Sequence, residues 1–294
     1  MAENPSVWTI GAILDWTKQY FSGKGVDNPR LDAEVLLSHI LGRDRLYLYV
    51  HFDQPLSPAE LDAFRVSVRK RAARLPVAYI TGEREFYGLR FAVSPAVLVP
   101  RPETELLVET VLRQLADKPA ARIVDLGTGS GAIVISLLTR LPAATAVAVD
   151  ISADALAVAG ENAGRHQVDG RLQLRQGDLW EPVSGMVFDV IVSNPPYIAA
   201  GDIDSLAPEV RQEPLLALDG GRDGLDFYRR LLRQGAAQLA ADGVMAVEIG
   251  VGQAEPIREL AAVSPLAVSE VIADYAGIER IVVLKKREAI ERGD

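Results

Sequence analysis

Apolar positions recur along this chain at two spacings, and the change from one to the other divides it. Over roughly the first eighty residues the spacing is helical. Ala33, Leu36, Leu37 and Ile40 fall three or four apart, a stripe for one face of a helix. Asn28-Pro29 puts a capping residue before a proline at the first helical position, and Gly42 closes the segment. Ser57-Pro58-Ala59-Glu60 has the form of a capping box, with Ser57 as N-cap and Glu60 reaching back to its N–H. The helix it opens is predicted to turn Leu61, Phe64, Val68 and Leu75 inward and to stop at Pro76.

Beyond residue 84 the period shortens. EFYGLRFAV (85–93) reads as two short strands around Gly88, and VSPAVLVPRPETE (93–105), with three prolines, as an extended connector. From 103 onward Leu106, Leu107, Val111 and Leu115 restore helical spacing. The chain then alternates: strand 122–126, helix 131–140, strand 145–150, helix 153–164, strands 172–175 and 187–193. A helix near 225–241, a strand 244–249, a helix near 254–262 and strands near 266–272 and 280–285 close it. Such alternation predicts βαβ units, a mainly parallel sheet and right-handed crossovers, an α/β domain over 103–287. A helical domain (1–84) and a hairpin with connector (85–102) precede it. Residues 199–224 show no period, and the chain carries no internal repeat.

Composition narrows the chemistry. Of 294 residues 49% are hydrophobic, enough for a sizeable core and for two domains. Lys and Arg number 31 against 40 Asp and Glu, a formal net charge of −9, the wrong sign for gripping duplex nucleic acid across many phosphates. The basic run Arg65, Arg69, Lys70, Arg71, Arg74 reads as a solvated helix face, or else as a docking surface for an acidic partner. With no cysteine and three scattered histidines (His39, His51, His166), thiolate chemistry is excluded and no metal-ligand spacing appears. MAENPSVW lacks the pattern of a signal peptide, and Arg140 and Pro142 interrupt the longest apolar stretch, so a soluble cytoplasmic protein without a membrane span is expected.

Three strand ends carry polar groups suited to a site. Strand 122–126 runs into Asp125-Leu126-Gly127-Thr128-Gly129-Ser130-Gly131-Ala132, whose glycines let backbone approach a ligand. The loop also satisfies the loose dinucleotide pattern, so a nicotinamide cofactor stays open here. Asp150 ends the next strand, where a carboxylate can accept both hydroxyls of a ribose. Gly177-Asp178-Leu179 follows the third; Asp178 can accept an adenine amino group or serve as a helix N-cap. The fourth strand, VFDVIVS, breaks into Asn194-Pro195-Pro196-Tyr197. Neither proline carries an N–H, so the Asn194 oxygen and the Pro195 carbonyl can both accept from one planar NH2 group, with the Tyr197 ring to pack against it. The plainer reading is a turn that ends a strand.

Joined in this order, the pieces resemble the class I S-adenosylmethionine-dependent methyltransferases, which implies a Rossmann-like domain with a mainly parallel seven-stranded sheet. Phe86-Tyr87-Gly88, Pro100-Arg101-Pro102-Glu103-Thr104-Glu105, the glycine loop and Asn194-Pro195-Pro196-Tyr197-Ile198 together resemble the bacterial protein-(glutamine-N5) methyltransferases of release factors. The resemblance implies S-adenosyl-L-methionine as donor, held by Gly127, Thr128, Gly129, Ser130, Gly131, Asp150, Asp178, Leu179 and Asn194. It implies as acceptor the glutamine of a Gly-Gly-Gln motif in a peptide chain release factor, bound by Asn194, Pro195, Pro196 and Tyr197, with Asn194, Pro195 and Tyr197 catalytic. It further implies that the N-terminal helices dock the substrate, that no nucleic acid or metal is needed, and that the enzyme is a monomer. Phe86, Arg101 and Glu105 are expected near the cofactor or acceptor mouth, against the alternative of a packed aromatic and a connector ion pair. An N6-adenine methyltransferase acting on DNA or RNA is the nearest other reading, since the same tetrapeptide suits a flipped adenine.

Overall fold

The capping box forms as its residues dictate. Ser57 accepts from the Glu60 N–H and the Glu60 carboxylate accepts from the Ser57 N–H, starting a helix at Pro58. The computed structural model describes residues 7–291, so the start of the chain read for a leader lies, up to residue 6, outside the described residues. The chain forms two compact units, Met1–Gly82 with Ala207–Gln212, and Glu83–Leu206 with Glu213–Asp294.

The first unit is helical: α1 (Ile10–Gly23), α2 (Pro29–Leu41), α3 (Arg45–Val50), α4 (Pro58–Ala72) and α5 (Val77–Thr81). Ile10, Leu14, Phe21, Leu36, Leu37 and Phe64 are fully buried in its core. Asn28 precedes α2 without a side-chain capping bond; Pro29 opens that helix, and Gly42, at φ +60°, closes it. Helix α4 ends at Ala72 rather than at Pro76, because Arg74 adopts φ +69°. Leu75 therefore lies past the helix, and Pro76 precedes α5 instead. The basic run is not wholly a solvated face. Arg65, Arg69 and Lys70 are exposed, but Arg71 is buried and donates to Asp32 Oδ2 (2.6 Å) and Glu209 Oε1 (2.7 Å), while Arg74 donates to Glu209 Oε2 (2.8 Å). These bonds bring Glu209, from the 207–212 segment, onto α4.

The second unit begins with a hairpin, β1 (Glu83–Phe86) and β2 (Leu89–Ala92). Its two turn residues, Tyr87 and Gly88, both have positive φ (52° and 73°), the backbone that suits a two-residue hairpin loop. Next come α6 (Glu105–Gln114), β3 (Arg122–Leu126), α7 (Ala132–Arg140), β4 (Thr145–Asp150), α8 (Ala153–Arg165), β5 (Leu172–Gln176) and β6 (Phe188–Ser193). Then follow α9 (Asp226–Gln238), β7 (Leu239–Glu248), α10 (Ala254–Ala262), β8 (Leu266–Ala273), β9 (Glu279–Lys286) and α11 (Arg287–Glu291). Strand β7 begins before the expected residue 244, because Leu239 already pairs with Phe188 ahead of a register shift.

The seven-stranded sheet has the order β5-β4-β3-β6-β7-β9-β8, parallel from β5 to β7, with β9 antiparallel to both neighbours. The central strands are nearly unbroken apolar runs because both faces are covered. Ile123, Val190 and Val192 share a core with Leu107, Ile133 and Leu137 of α6 and α7, while Val124, Val149 and Ile191 share one with Leu231 and Ile257 of α9 and α10. From β3 the chain builds outward to β4 and β5, then returns to β6 on the other side of β3. That reversal opens a crevice at the carboxyl ends of β3 and β6, where ligands bind in such sheets. Residues 199–224 fold as short 3₁₀ turns (Ala200–Ser205, Val210–Gln212, Leu215–Ala217), which explains their lack of α or β period. Among the described residues no helix is long and apolar enough to cross a membrane.

Candidate active site

The glycine loop leaves β3 and turns directly into α7. Gly131 takes φ +79° at the helix start, a backbone that demands glycine; a Cβ there would also press on the end of the Ile135 side chain at 2.7 Å. The Gly129 N–H donates to Asp150 Oδ2 at 2.8 Å, and Asp150 Oδ1 accepts from the Ser152 N–H at 3.0 Å. The Asp150 carboxylate is thus oriented from both sides and keeps lone pairs for a ligand. Behind the loop, Asp125 is fully buried. Thr128 donates to its Oδ2 at 2.7 Å, and its Oδ1 has no partner among the described residues. Burial pushes the Asp125 carboxyl up to about 7; the Thr128 hydroxyl opposes the rise, and the negative charge of Asp150 adds to it.

Asp178 caps no helix. It pairs with the Arg230 guanidinium at 2.6 Å, and Arg230 lies over the Phe227 ring, 5.7 Å from its centroid. Leu179, at φ +50°, is buried beside it. Across the crevice, Asn194 follows β6, and its Nδ2 donates to Thr104 Oγ1 at 3.2 Å. Asn194 Oδ1 makes no hydrogen bond to the described residues and is left to face a ligand.

A cavity of about 370 Å³ joins these groups. Gly127, Thr128, Gly129, Ser130, Asp150, Asp178 and Leu179 line it on one side, Asn194 and Pro196 on the other. Its size falls within the range of small-molecule sites. Gly131, Pro195 and Tyr197 are adjacent but not part of the lining. Pro195 is buried, and Tyr197 packs partly buried against the core, its carbonyl accepting from Gln253 Nε2 at 3.0 Å. Burial first, and then the nearby Glu248 carboxylate, push the Tyr197 hydroxyl up to about 12.

Of the three residues expected at the mouth, only Arg101 lines the cavity; it donates to the buried Glu213 carboxylate, which also accepts from the Val99 N–H at 3.0 Å. Phe86 is instead buried in the core against Phe91, and Glu105 accepts from the Tyr87 N–H at 2.8 Å, fastening the hairpin. Both belong to packing rather than to the cavity. Sequence reasoning missed Thr104, Glu213 and Glu248, three polar residues buried at or behind the site. Thr104 stands between two glutamates and Glu213 before Pro214, neither with a readable period; Glu248 ends a strand, and that position at a strand's carboxyl end was the available signal. No group of three or more His, Asp or Glu among the described residues can hold a metal ion.

The sheet, its crevice and the glycine loop fit the class that the comparisons give, a methyltransferase. A profile described as the methyltransferase small domain matches residues 102–211. The catalytic domain of hMettl16, solved with a MAT2A 3′UTR hairpin, superposes with a TM-score of 0.56 at 17% identity over 73% of this chain and 81% of its own; a methyltransferase from Pyrococcus furiosus gives 0.50 at 18% over 75% and 95%. At these identities the likeness is one of fold. Full-length relatives are more specific. The release factor glutamine methyltransferase of Geobacter sulfurreducens is 47% identical over 96% of this chain and 98% of its own length, and that of Moorella thermoacetica 45% over 95% and 99%. The PrmC N-terminal domain profile matches residues 12–82. The chain belongs to the release factor glutamine methyltransferase family.

Proposed function

We propose that this protein transfers a methyl group from S-adenosyl-L-methionine to N5 of the glutamine in the Gly-Gly-Gln motif of peptide chain release factors. One observation carries the reading: a single cavity is lined on one side by the glycine loop with Asp150 and on the other by Asn194 and Pro196. The donor supplies, when bound, an electrophilic methyl on a sulfonium. The residues fit it. Gly127 to Ser130 give close backbone approach, Asp150 offers its remaining lone pairs to ribose hydroxyls, and Asp178 with Leu179, Phe227 and Arg230 borders the space for a base.

An amide nitrogen is a weak nucleophile, and no His, Cys or Lys lines the cavity. Orientation therefore supplies most of the rate. Asn194 Oδ1 and the Pro195 carbonyl would accept the two N–H bonds of the glutamine amide and aim its nitrogen at the methyl, with Tyr197 behind that clamp. The new N–C bond would replace the donor's S–C bond, and one amide proton would leave to water. In this reading the N-terminal helices within 1–84 dock the release factor, no nucleic acid is required, and the enzyme acts as a cytoplasmic monomer. The net charge of −9 and the names of the relatives support a protein acceptor over an adenine in DNA or RNA.

Mass spectrometry of a purified release factor incubated with enzyme and donor tests the reading. One added methyl on the Gly-Gly-Gln glutamine is expected; an unmodified factor beside a methylated oligonucleotide would overturn it.

A further inference from the structure

Glu248 ends β7 with its side chain sealed inside the protein, 2% exposed, and its Oε2 has no hydrogen-bond partner. Among the described residues it forms no salt bridge. Arg280, whose positive charge acts on it, is paired with Asp274 at 3.0 Å. An unpaired buried carboxyl is costly and needs a reason. What lies against it is the Thr104 hydroxyl and the Asn194 amide. Thr104, itself 4% exposed, accepts from Asn194 Nδ2 at 3.2 Å. Having accepted there, the Thr104 hydroxyl has one hydrogen of its own to place, and the Glu248 carboxylate is the acceptor beside it.

We propose that Glu248 is a positioning residue which, through Thr104, locks the Asn194 amide with its oxygen toward the acceptor. The inference rests on the reading of Asn194 given above. An Asn amide has two orientations related by a half-turn, and only one presents Oδ1 to the NH2 of the substrate. In that orientation Nδ2 donates to Thr104 Oγ1, and the amide favours the charged form of Glu248. In the flipped one Oδ1 would face the ionised Glu248 carboxylate, acceptor against acceptor, and would compete with it for the one Thr104 hydrogen. The lock needs Glu248 as an acceptor, so it holds when the carboxyl is ionised and relaxes when a proton lets Glu248 donate.

Glu248 is placed to make that change near neutrality. Burial pushes its carboxyl up to about 7; the Thr104 hydroxyl opposes this, the charge of Glu103 adds to it, and Arg280 and the Asn194 amide oppose it. Two phenols also adjoin it. Tyr228, on α9, donates to the Glu248 carbonyl at 2.8 Å, and burial raises its hydroxyl as it does that of Tyr197, which is pushed up to about 12; neither phenol titrates near 7. Asp125 does, at about 7, but it lies beneath the glycine loop, so its effect is carried by donor affinity.

The test compares wild type, Glu248→Gln, Thr104→Val, Thr104→Ser and, as a control, Asp125→Asn, in kcat from pH 5.5 to 8.5 and in donor dissociation constant. The wild-type kcat is expected to rise with pH about a midpoint near 7, and to do so still in Asp125→Asn. Glu248→Gln, whose amide can donate as well as accept, should lose at least about tenfold in kcat at pH 8 and flatten the profile, with donor binding unchanged. Thr104→Ser should stay within a few-fold of wild type and Thr104→Val should not. A wild-type kcat and pH profile in Glu248→Gln would overturn the proposal. If that variant does not fold, equal kcat in Thr104→Val and Thr104→Ser would overturn it. The ¹⁵N signals of the Asn194 side-chain amide give a readout free of any substrate. Their shift should titrate near pH 7 in wild type and not in Glu248→Gln. If it does so while release factor stays unmethylated, the lock stands and the proposed acceptor falls; an amide signal indifferent to pH sinks the lock itself.

Discussion

The backbone N–H of Gly129 donates to Asp150 Oδ2 across 2.8 Å, so the loop after β3 and the end of β4 present one preassembled surface to the cavity. Asp150 is held by a second backbone donor, Ser152, and needs little reordering to meet a ribose. Replacing Asp150 with Ala removes charge-assisted hydrogen bonds to the donor, worth about 1.5–3 kcal/mol. The expected result in titration calorimetry is a donor dissociation constant raised by about tenfold or more. Unchanged affinity would show that Asp150 does not hold the ribose.

Asn194 should behave in the opposite way. It contributes one amide to a cavity that the glycine loop and Asp150 line independently. Asn194→Ala is expected to abolish methyl transfer to a release factor while shifting donor affinity only modestly. Asn194→Asp is the sharper variant, since it keeps an accepting oxygen but loses the Nδ2–H bond to Thr104. It should bind donor and transfer at less than about a tenth of the wild-type rate, by loss of one orienting hydrogen bond. Near-normal turnover in the Ala variant would remove Asn194 from the acceptor site.

What could be read beforehand was what is contiguous. The glycine loop and Asn194-Pro195-Pro196-Tyr197 each carry their chemistry within a few residues, and the strand periods set the two motifs at one sheet edge. Thr104, Glu213 and Glu248 were opaque because their meaning arises where segments far apart in sequence meet. In the chain Glu213 and Glu248 look like any surface carboxylate, yet each is buried. Arg71 is an intermediate case. It lies three residues after Val68 and seven after Phe64, on the apolar face of α4, so the period itself argued against a solvated side chain. Its acidic partner Glu209 came from the stretch without a period, and only the fold supplied it.

That pairing leads to a prediction about the 207–212 segment. Arg71 is buried and pairs with both Asp32 and Glu209, so Arg71→Met leaves Asp32 facing an apolar side chain and Glu209 with Arg74 alone. Breaking one member of a buried pair costs about 3–5 kcal/mol. Asp32 and Glu209 retain partial access to water, which brings the expected loss to about 2–3 kcal/mol, read by chemical denaturation of the full chain. Arg211, exposed within the same segment, should also become a faster site of trypsin cleavage. Cleavage at the wild-type rate would mean that the Arg71–Glu209 pair does not hold this segment down.

The buried carboxyls set a pH dependence of stability whose sign is opposite to that of ordinary salt-bridged ones. Burial pushes both Asp125 and Glu248 up to about 7, above ordinary values of 3.8 and 4.5. Each therefore binds its proton more tightly folded than unfolded. Its contribution is complete below the ordinary value and is lost as pH rises through about 7. Glu34 runs the other way. Burial pushes its carboxyl up, but bonds from Tyr49, Arg45 and Arg30 outweigh that and hold it below the ordinary range, so its contribution is present above pH 4.5 and lost as the pH falls. Between pH 5 and pH 8 the two buried carboxyls dominate, and stability should decline by at most about 2.5 kcal/mol per group. Asp125→Asn keeps an oxygen to accept from Thr128 and removes one titrating site. Thermal unfolding from pH 5 to pH 8 should therefore show a shallower decline in Asp125→Asn than in wild type, the two curves separating as the pH passes about 7. Parallel curves across that range would show that Asp125 ionises in the folded protein at its ordinary pH, and that its burial does not govern its charge.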